Sequence, residues 1–255
     1  MFSFKNYKKL KFYLLFMKIE TKIKEYIEEA EILTFNILKD FNLTSEKSLR
    51  VILSNMVKKG TILSPKKGVY VSKNFDPFKI ATMLEPGYIS LTAALYYYHF
   101  ISEYPFTIYI ASEKIRNYKL GNYELVYFKA INFKYVDVEN KVAFPEKAIY
   151  DSLKYYKIVP FKKTLEAIYH ARNINWNNFI DLISKEKSSF FQRLGYLLSI
   201  MPKKNKKIEK IIDFCKERIN KKSKIYLYGR IKGVFIKEWN IIDNLGEKEL
   251  LSWWK

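Results

Sequence analysis

Residues 45–72, SEKSLRVILSNMVKKGTILSPKKGVYVS, decide how the amino-terminal part of the chain folds. Ser45, or Thr44 before it, is a helix-capping residue type, and Glu46 stands in the first turn, where an acid offsets the helix dipole. Leu49, Ile52, Leu53, Met56 and Val57 recur at the three- and four-residue spacing of a buried helical stripe. Lys58 and Lys59 followed by Gly60 supply a basic last turn and a glycine stop. Beyond them, residues 61–63 and 69–71 alternate as strands around the turn Ser64, Pro65, Lys66, Lys67, Gly68. The reading is a helix followed by a basic hairpin.

Two shorter helices are expected upstream. Ile19, Ile23, Tyr26 and Ile27 mark the first, and Leu33, Ile37, Leu38 and Phe41 the second, closed by a turn at Asn42. Three helices and a hairpin are the order of a winged helix-turn-helix, assigned here to residues 18–75. In that module the third helix enters the major groove and the wing holds the phosphate backbone. Removing the buried stripe leaves Lys47, Ser48, Arg50, Ser54, Asn55 and Lys58 as outward candidates. Arg50 can fork onto guanine and Asn55 onto adenine, while Lys66 and Lys67 suit phosphate. The competing use of such a module is docking to another protein.

The chain has 255 residues and a net charge of +20, room for two domains and a field that favours nucleic acid. A lysine-rich composition bias accounts for part of that charge as solvated surface. Cys215 stands alone in an apolar helical pattern, which excludes an internal disulfide and a cysteine-based metal site. His99 and His170 are too few for a histidine-rich metal or triad site, so no catalytic residue, metal or cofactor is expected. The most apolar stretch, residues 89–111, is interrupted by His99, Glu103 and Pro105, so no membrane span is expected, and the composition suits a cytoplasmic protein. Residues 1–17 read as an N-terminal extension or a mis-assigned start.

Residues 76–255 read as a second, mixed α+β domain, which makes the whole chain α+β. Within it, residues 76–184 are nearly neutral, with 13 basic and 11 acidic residues, whereas residues 185–255 carry 18 basic and 8 acidic ones. Strands are expected at 106–111, 123–128 and 133–138, and helices from Ser90, over 145–155, and around 165–171 and 176–183. Pro145 fits the first position of its helix, where a missing N–H costs nothing. Amphipathic helices follow around Leu194 and Ile211, then short strands. The run 203–224 holds ten basic and three acidic residues, a solvated face or a contact with an acidic partner.

Five segments together resemble the AbiEi family of antitoxins from abortive-infection toxin–antitoxin systems, a group of antiviral-defence regulators. They are KKGVYV at 66–71, EPGYISLTAALYYYHF at 85–100, VAFPEKAIYDSL at 142–153, FFQRLGYLLS at 190–199 and EWNIIDNL at 238–245. The third is the most specific, being close to the family's Ala-x-Pro-Glu-Lys-Ala segment with an aspartate shortly after. The resemblance covers almost everything from Ile19 to Leu245. It implies a non-enzymatic, DNA-binding repressor of its own promoter whose C-terminal domain counteracts a nucleotidyltransferase-like toxin, without need of a stable complex. A stand-alone winged-helix transcriptional regulator with an α+β effector domain is the alternative.

The motif residues Tyr88, Ser90, Pro145, Glu146, Lys147, Asp151, Arg193 and Trp239 also have plain structural readings. Glu146 offsets a helix dipole, Lys147 and Asp151 can pair on a helix surface, and Arg193 can anchor an internal ion pair with Asp151. A nuclease would need a strand carrying Glu139 and Lys141, and Asn140 between them suggests a turn instead.

Overall fold

A computed structural model describes residues 4–220 and 222–254, with side chains described from Met17 onward. The chain forms two compact units: Met1–Pro86 with Phe106–Phe128, and Gly87–Pro105 with Lys129–Lys255. Residues 106–128, read from the sequence with the second domain, belong to the first unit.

The first unit opens with α1 (Phe4–Ala30), β1 (Ile32–Thr34), α2 (Phe35–Asp40) and α3 (Glu46–Lys58), then β2 (Ile62–Leu63) and β3 (Val69–Ser72). The three strands form an antiparallel sheet in the order β1-β3-β2, with Leu33 opposite Tyr70 and Leu63 opposite Val71. Ile23, Ile27, Leu38, Ile52, Leu53 and Met56 fill the core between helices and sheet. A helical region with a small sheet in this order is compatible with the winged-helix arrangement.

Three details differ from the sequence reading. The first helix runs 27 residues, so residues 4–16 continue it; residues 1–3 and the side chains of 4–16 lie outside the description. Leu33 belongs to a strand because the Thr34 hydroxyl accepts the Ile37 N–H and starts α2 only after it. Ile37 and Phe41, expected inside, are exposed.

The unit continues with α4 (Pro77–Leu84), capped by Asp76, whose carboxylate accepts the Phe78 N–H at 2.9 Å. In chain order the second unit then begins with β4 (Tyr88–Ser90) and α5 (Leu91–Tyr97). The chain returns to the first unit through β5 (Thr107–Ser112), β6 (Arg116–Leu120) and β7 (Tyr123–Lys129), where β6 and β7 pair antiparallel.

The rest of the second unit is β8 (Val136–Asp137), β9 (Val142–Ala143), α6 (Pro145–Lys154), α7 (Phe161–His170), α8 (Trp176–Ile183), α9 (Ser188–Ser199) and α10 (Lys206–Lys216), then β10 (Ile225–Tyr226), β11 (Val234–Ile236), β12 (Ile241–Asp243) and α11 (Glu247–Leu250). Helices and mixed sheets make the chain α+β, as its sequence predicts. Helix α6 is central: α5, α7 and α8 contact it, and Glu146 to Leu153 are all buried. Pro145 takes its first turn as expected. The expected strand at 133–138 is only two residues long, because Asp137 folds back to accept the N–H groups of Glu139 and Asn140. Glu139 and Lys141 therefore lie on a turn, not on a strand. Among the described residues no helix is long and apolar enough to cross a membrane.

Candidate nucleic-acid interface

Helix α3 separates its two faces cleanly. Leu49, Ile52, Leu53 and Met56 are buried, while Lys47, Arg50, Ser54 and Lys58 are exposed. The exposed set recurs every three or four residues, so it lies along one face. Ser45 caps the helix, its hydroxyl accepting the Ser48 N–H at 3.3 Å. Ser45 also donates to the Ser48 hydroxyl at 3.0 Å, so Ser48 is engaged in the cap. Asn55 is half-buried beside the exposed row.

Arg50 is the best positioned of the six. Its guanidinium stands 4.1 Å above the Phe35 ring and holds Glu46 at 2.7 Å. Glu46 also pairs with Lys39, and these cations keep its carboxyl below the ordinary range. The Phe35 N–H in turn donates to the Gly68 carbonyl at 2.8 Å. That bond ties the base of the β2–β3 turn to the ring under Arg50. Gly68 has φ +76°, a left-handed conformation that glycine adopts without strain.

The two turn lysines are placed differently. Lys67 is exposed, whereas Lys66 donates to Glu85 at 2.9 Å and to the Leu84 carbonyl at 3.3 Å. Glu85 also accepts from the Tyr118 hydroxyl at 2.7 Å, and the two donors hold its carboxyl low. The β6–β7 hairpin therefore braces the turn. It also brings exposed Lys114 and Arg116, which the sequence reading did not single out because the bracing strand lies far along the chain. A second omission is Val51, half exposed among the α3 candidates, an apolar contact suited to a thymine methyl group.

The motif residues of the second unit converge instead on its interior. Lys147 donates to Asp151 at 2.7 Å with side chains 0% and 1% exposed, so this pair is internal and not on a helix surface. The Ser90 hydroxyl donates to the other carboxylate oxygen at 2.8 Å, leaving α5 without a side-chain cap. The Tyr88 hydroxyl lies 3.3 Å from the same oxygen and 3.0 Å from the Asn132 carbonyl. Burial pushes the Asp151 carboxyl up, and Lys147, Ser90 and Tyr88 pull it back down. The buried Leu91, next to Ser90, has φ 54°, a strained conformation for a bulky residue. Glu146 is buried too, accepting from the Asn178 amide at 2.8 Å.

Arg193 does not pair with Asp151. It donates to the carbonyls of Tyr226, Leu227 and Ser189 at 3.0, 3.1 and 3.3 Å and lies over the Tyr156 ring. Neighbouring Gln192 donates to the Ser223 and Asn240 carbonyls, and the Tyr196 hydroxyl to Asp243 at 2.7 Å. Trp239 is fully buried against Gly195, where a Cβ would stand 1.9 Å from the indole. The segments 190–199 and 238–245 thus interlock as one piece of core. Comparison with protein-family models and with curated proteins finds no match.

Proposed function

We propose that the protein is a DNA-binding repressor of its own promoter, with α3 as the helix that reads the major groove. The observation that carries this is the continuous exposed row Lys47, Arg50, Ser54 and Lys58, opposite a fully buried stripe and tied through Phe35 to a basic turn. Arg50 exchanges Glu46 for a guanine edge, and Lys67 meets phosphate. Lys66 acts by positioning the turn.

The five-segment resemblance extends the proposal. On that basis the protein is a cytoplasmic, non-enzymatic antitoxin whose second unit counteracts a nucleotidyltransferase-like toxin. A stand-alone regulator is the second reading. It is favoured by the way Lys147, Asp151, Arg193 and Trp239 are consumed by internal packing, which leaves the motif with a sufficient structural explanation.

Titration of labelled duplex from upstream of the gene tests the first claim. Nanomolar binding that Arg50→Ala weakens at least ten-fold is expected, and sequence-independent affinity unchanged by Arg50→Ala refutes it. Co-expression with the adjacent gene tests the second. Growth rescue that survives deletion of residues 18–75 and fails without 76–255 is expected, and the absence of any rescue returns the reading to a plain regulator.

A further inference from the structure

We propose that the second unit holds a binding site for an unpaired nucleobase together with its phosphate. The site is a pocket of about 670 Å³, within the roughly 300–1,000 Å³ range of ligand sites. Tyr98, Phe100 and Tyr169 give it aromatic walls, and His99, His170 and Arg172 give it cationic or donor groups. None of its described lining residues is a carboxylate, and Asp137 and Glu146 lie near enough to act on the Tyr98 hydroxyl. The chain has only two histidines, and both are here, delivered by the C-terminal ends of α5 and α7.

His99 closes its helix in the left-handed region. Its φ is 58°, and its N–H donates to the Tyr96 carbonyl at 2.8 Å while the Phe100 N–H donates to the Leu95 carbonyl at 2.9 Å. That reciprocal pair closes a helix with a left-handed residue, which is usually glycine.

The walls continue into further aromatic side chains, with His170 edge-on to Tyr169 at 5.1 Å. Tyr98 and Phe100 stack at 5.6 Å, and Tyr169 meets Trp254 at 4.9 Å and Trp253 at 5.3 Å. Lys203, the first residue of the basic run, lies 5.4 Å over Trp254. Burial pushes the Tyr98 hydroxyl up to about 12, so it remains an O–H donor. Aromatic faces for a base, flanked by cations for its phosphate, are how proteins hold unpaired nucleotides; paired bases in a duplex present no free face. The base comes either from a free nucleotide or from a single strand tracking toward Lys203. The site is in a different unit from α3, so its test is independent of duplex binding.

The test uses the full chain. All four tryptophans lie in this unit, two of them beside Tyr169, so their emission is titrated with the four nucleoside monophosphates and with inorganic phosphate. Anisotropy of a labelled twelve-nucleotide oligouridine and of a duplex of equal length runs alongside. A monophosphate binding as well as the oligonucleotide identifies a free nucleotide, and an oligonucleotide at least ten-fold tighter identifies a single strand. In either arm His170→Ala and Arg172→Ala lose at least ten-fold. His99→Gly loses binding while its Tm is unchanged or raised, a combination that a purely structural role for His99 does not produce. The proposal is overturned if no nucleotide or oligonucleotide binds. It is equally overturned if the three variants bind as wild type, or if single-strand binding is lost only in Lys47→Ala and Lys58→Ala.

Discussion

Replacing Lys147 by Met removes the ammonium from Asp151 while keeping the length of the side chain, and leaves a carboxylate 1% exposed. At 2.7 Å and an effective dielectric near 20, the pair attracts by about 6 kcal/mol. That roughly offsets the several kcal/mol needed to desolvate each ion, so an intact pair adds little net stability, whereas a broken one costs about 3–5 kcal/mol. The sign of the pH dependence follows. In Lys147→Met the Asp151 carboxyl, already pushed up by burial, loses the partner that pulls it down. The folded state then holds a proton that the unfolded chain releases near pH 4, so stability falls as pH rises, by up to about 1.4 kcal/mol per unit. The deficit relative to wild type is therefore smaller at pH 5 than at pH 7. Asp151→Asn leaves the ammonium of Lys147 without its carboxylate partner. Ser90 and Tyr88 still face the amide, and Tyr150 still places its ring 5.1 Å from the ammonium, so the variant keeps its other partners. Urea unfolding followed by tryptophan emission at pH 5, 6 and 7 reads this unit alone. A Lys147→Met deficit that does not shrink from pH 7 to pH 5, or deficits under about 1 kcal/mol at pH 7, refute the reasoning.

Gly195→Ala drives a methyl group to 1.9 Å from the buried Trp239 ring, so a loss of about 3 kcal/mol or more is expected by urea unfolding, part of it recovered in Gly195→Ala with Trp239→Leu. Cys215 is buried and its thiol is pushed up to about 12, so a disulfide reagent at pH 8 should label it only at the rate of unfolding; rapid native labelling would contradict its placement. With Lys66 held by Glu85, the cations left on the α3 face and turn are Lys47, Arg50, Lys58 and Lys67. They predict a log–log salt slope of about −4 per protomer for operator DNA. A slope steeper by two or more would bring Lys114 and Arg116 into contact, and one near zero would remove DNA from the proposal.

The parts of the fold legible in the sequence are those that local chemistry determines. The α3 stripe, its Ser45 cap, its glycine stop and the Pro145 helix start each depend on residues within a turn of one another, and the structure contains all four. What was not legible depends on distant partners. Leu33 fits a helical stripe until β3 offers it a strand neighbour in Tyr70. Lys66 resembles a free turn lysine until Glu85 and Tyr118 are brought to it. Spacing alone makes Lys147 and Asp151 a surface pair, and only the helices around α6 bury them. The pocket was hidden for the same reason, since His99 and His170 come from the ends of two helices far apart in the chain.

The interior use of the motif residues changes what the family resemblance can support. A segment retained because Gly195 must admit Trp239, or because Asp151 must meet Lys147, specifies a fold and not a partner. Substituting such residues will abolish an antitoxin and a stand-alone regulator alike, through the same loss of core. Evidence for either function must come from side chains that folding leaves free. On the first unit these include the α3 row and Lys67, and on the second the exposed His99 and His170. Arg50→Ala and His170→Ala are therefore the decisive pair. Each removes an exposed side chain without opening the core, so a functional loss in either is a statement about binding.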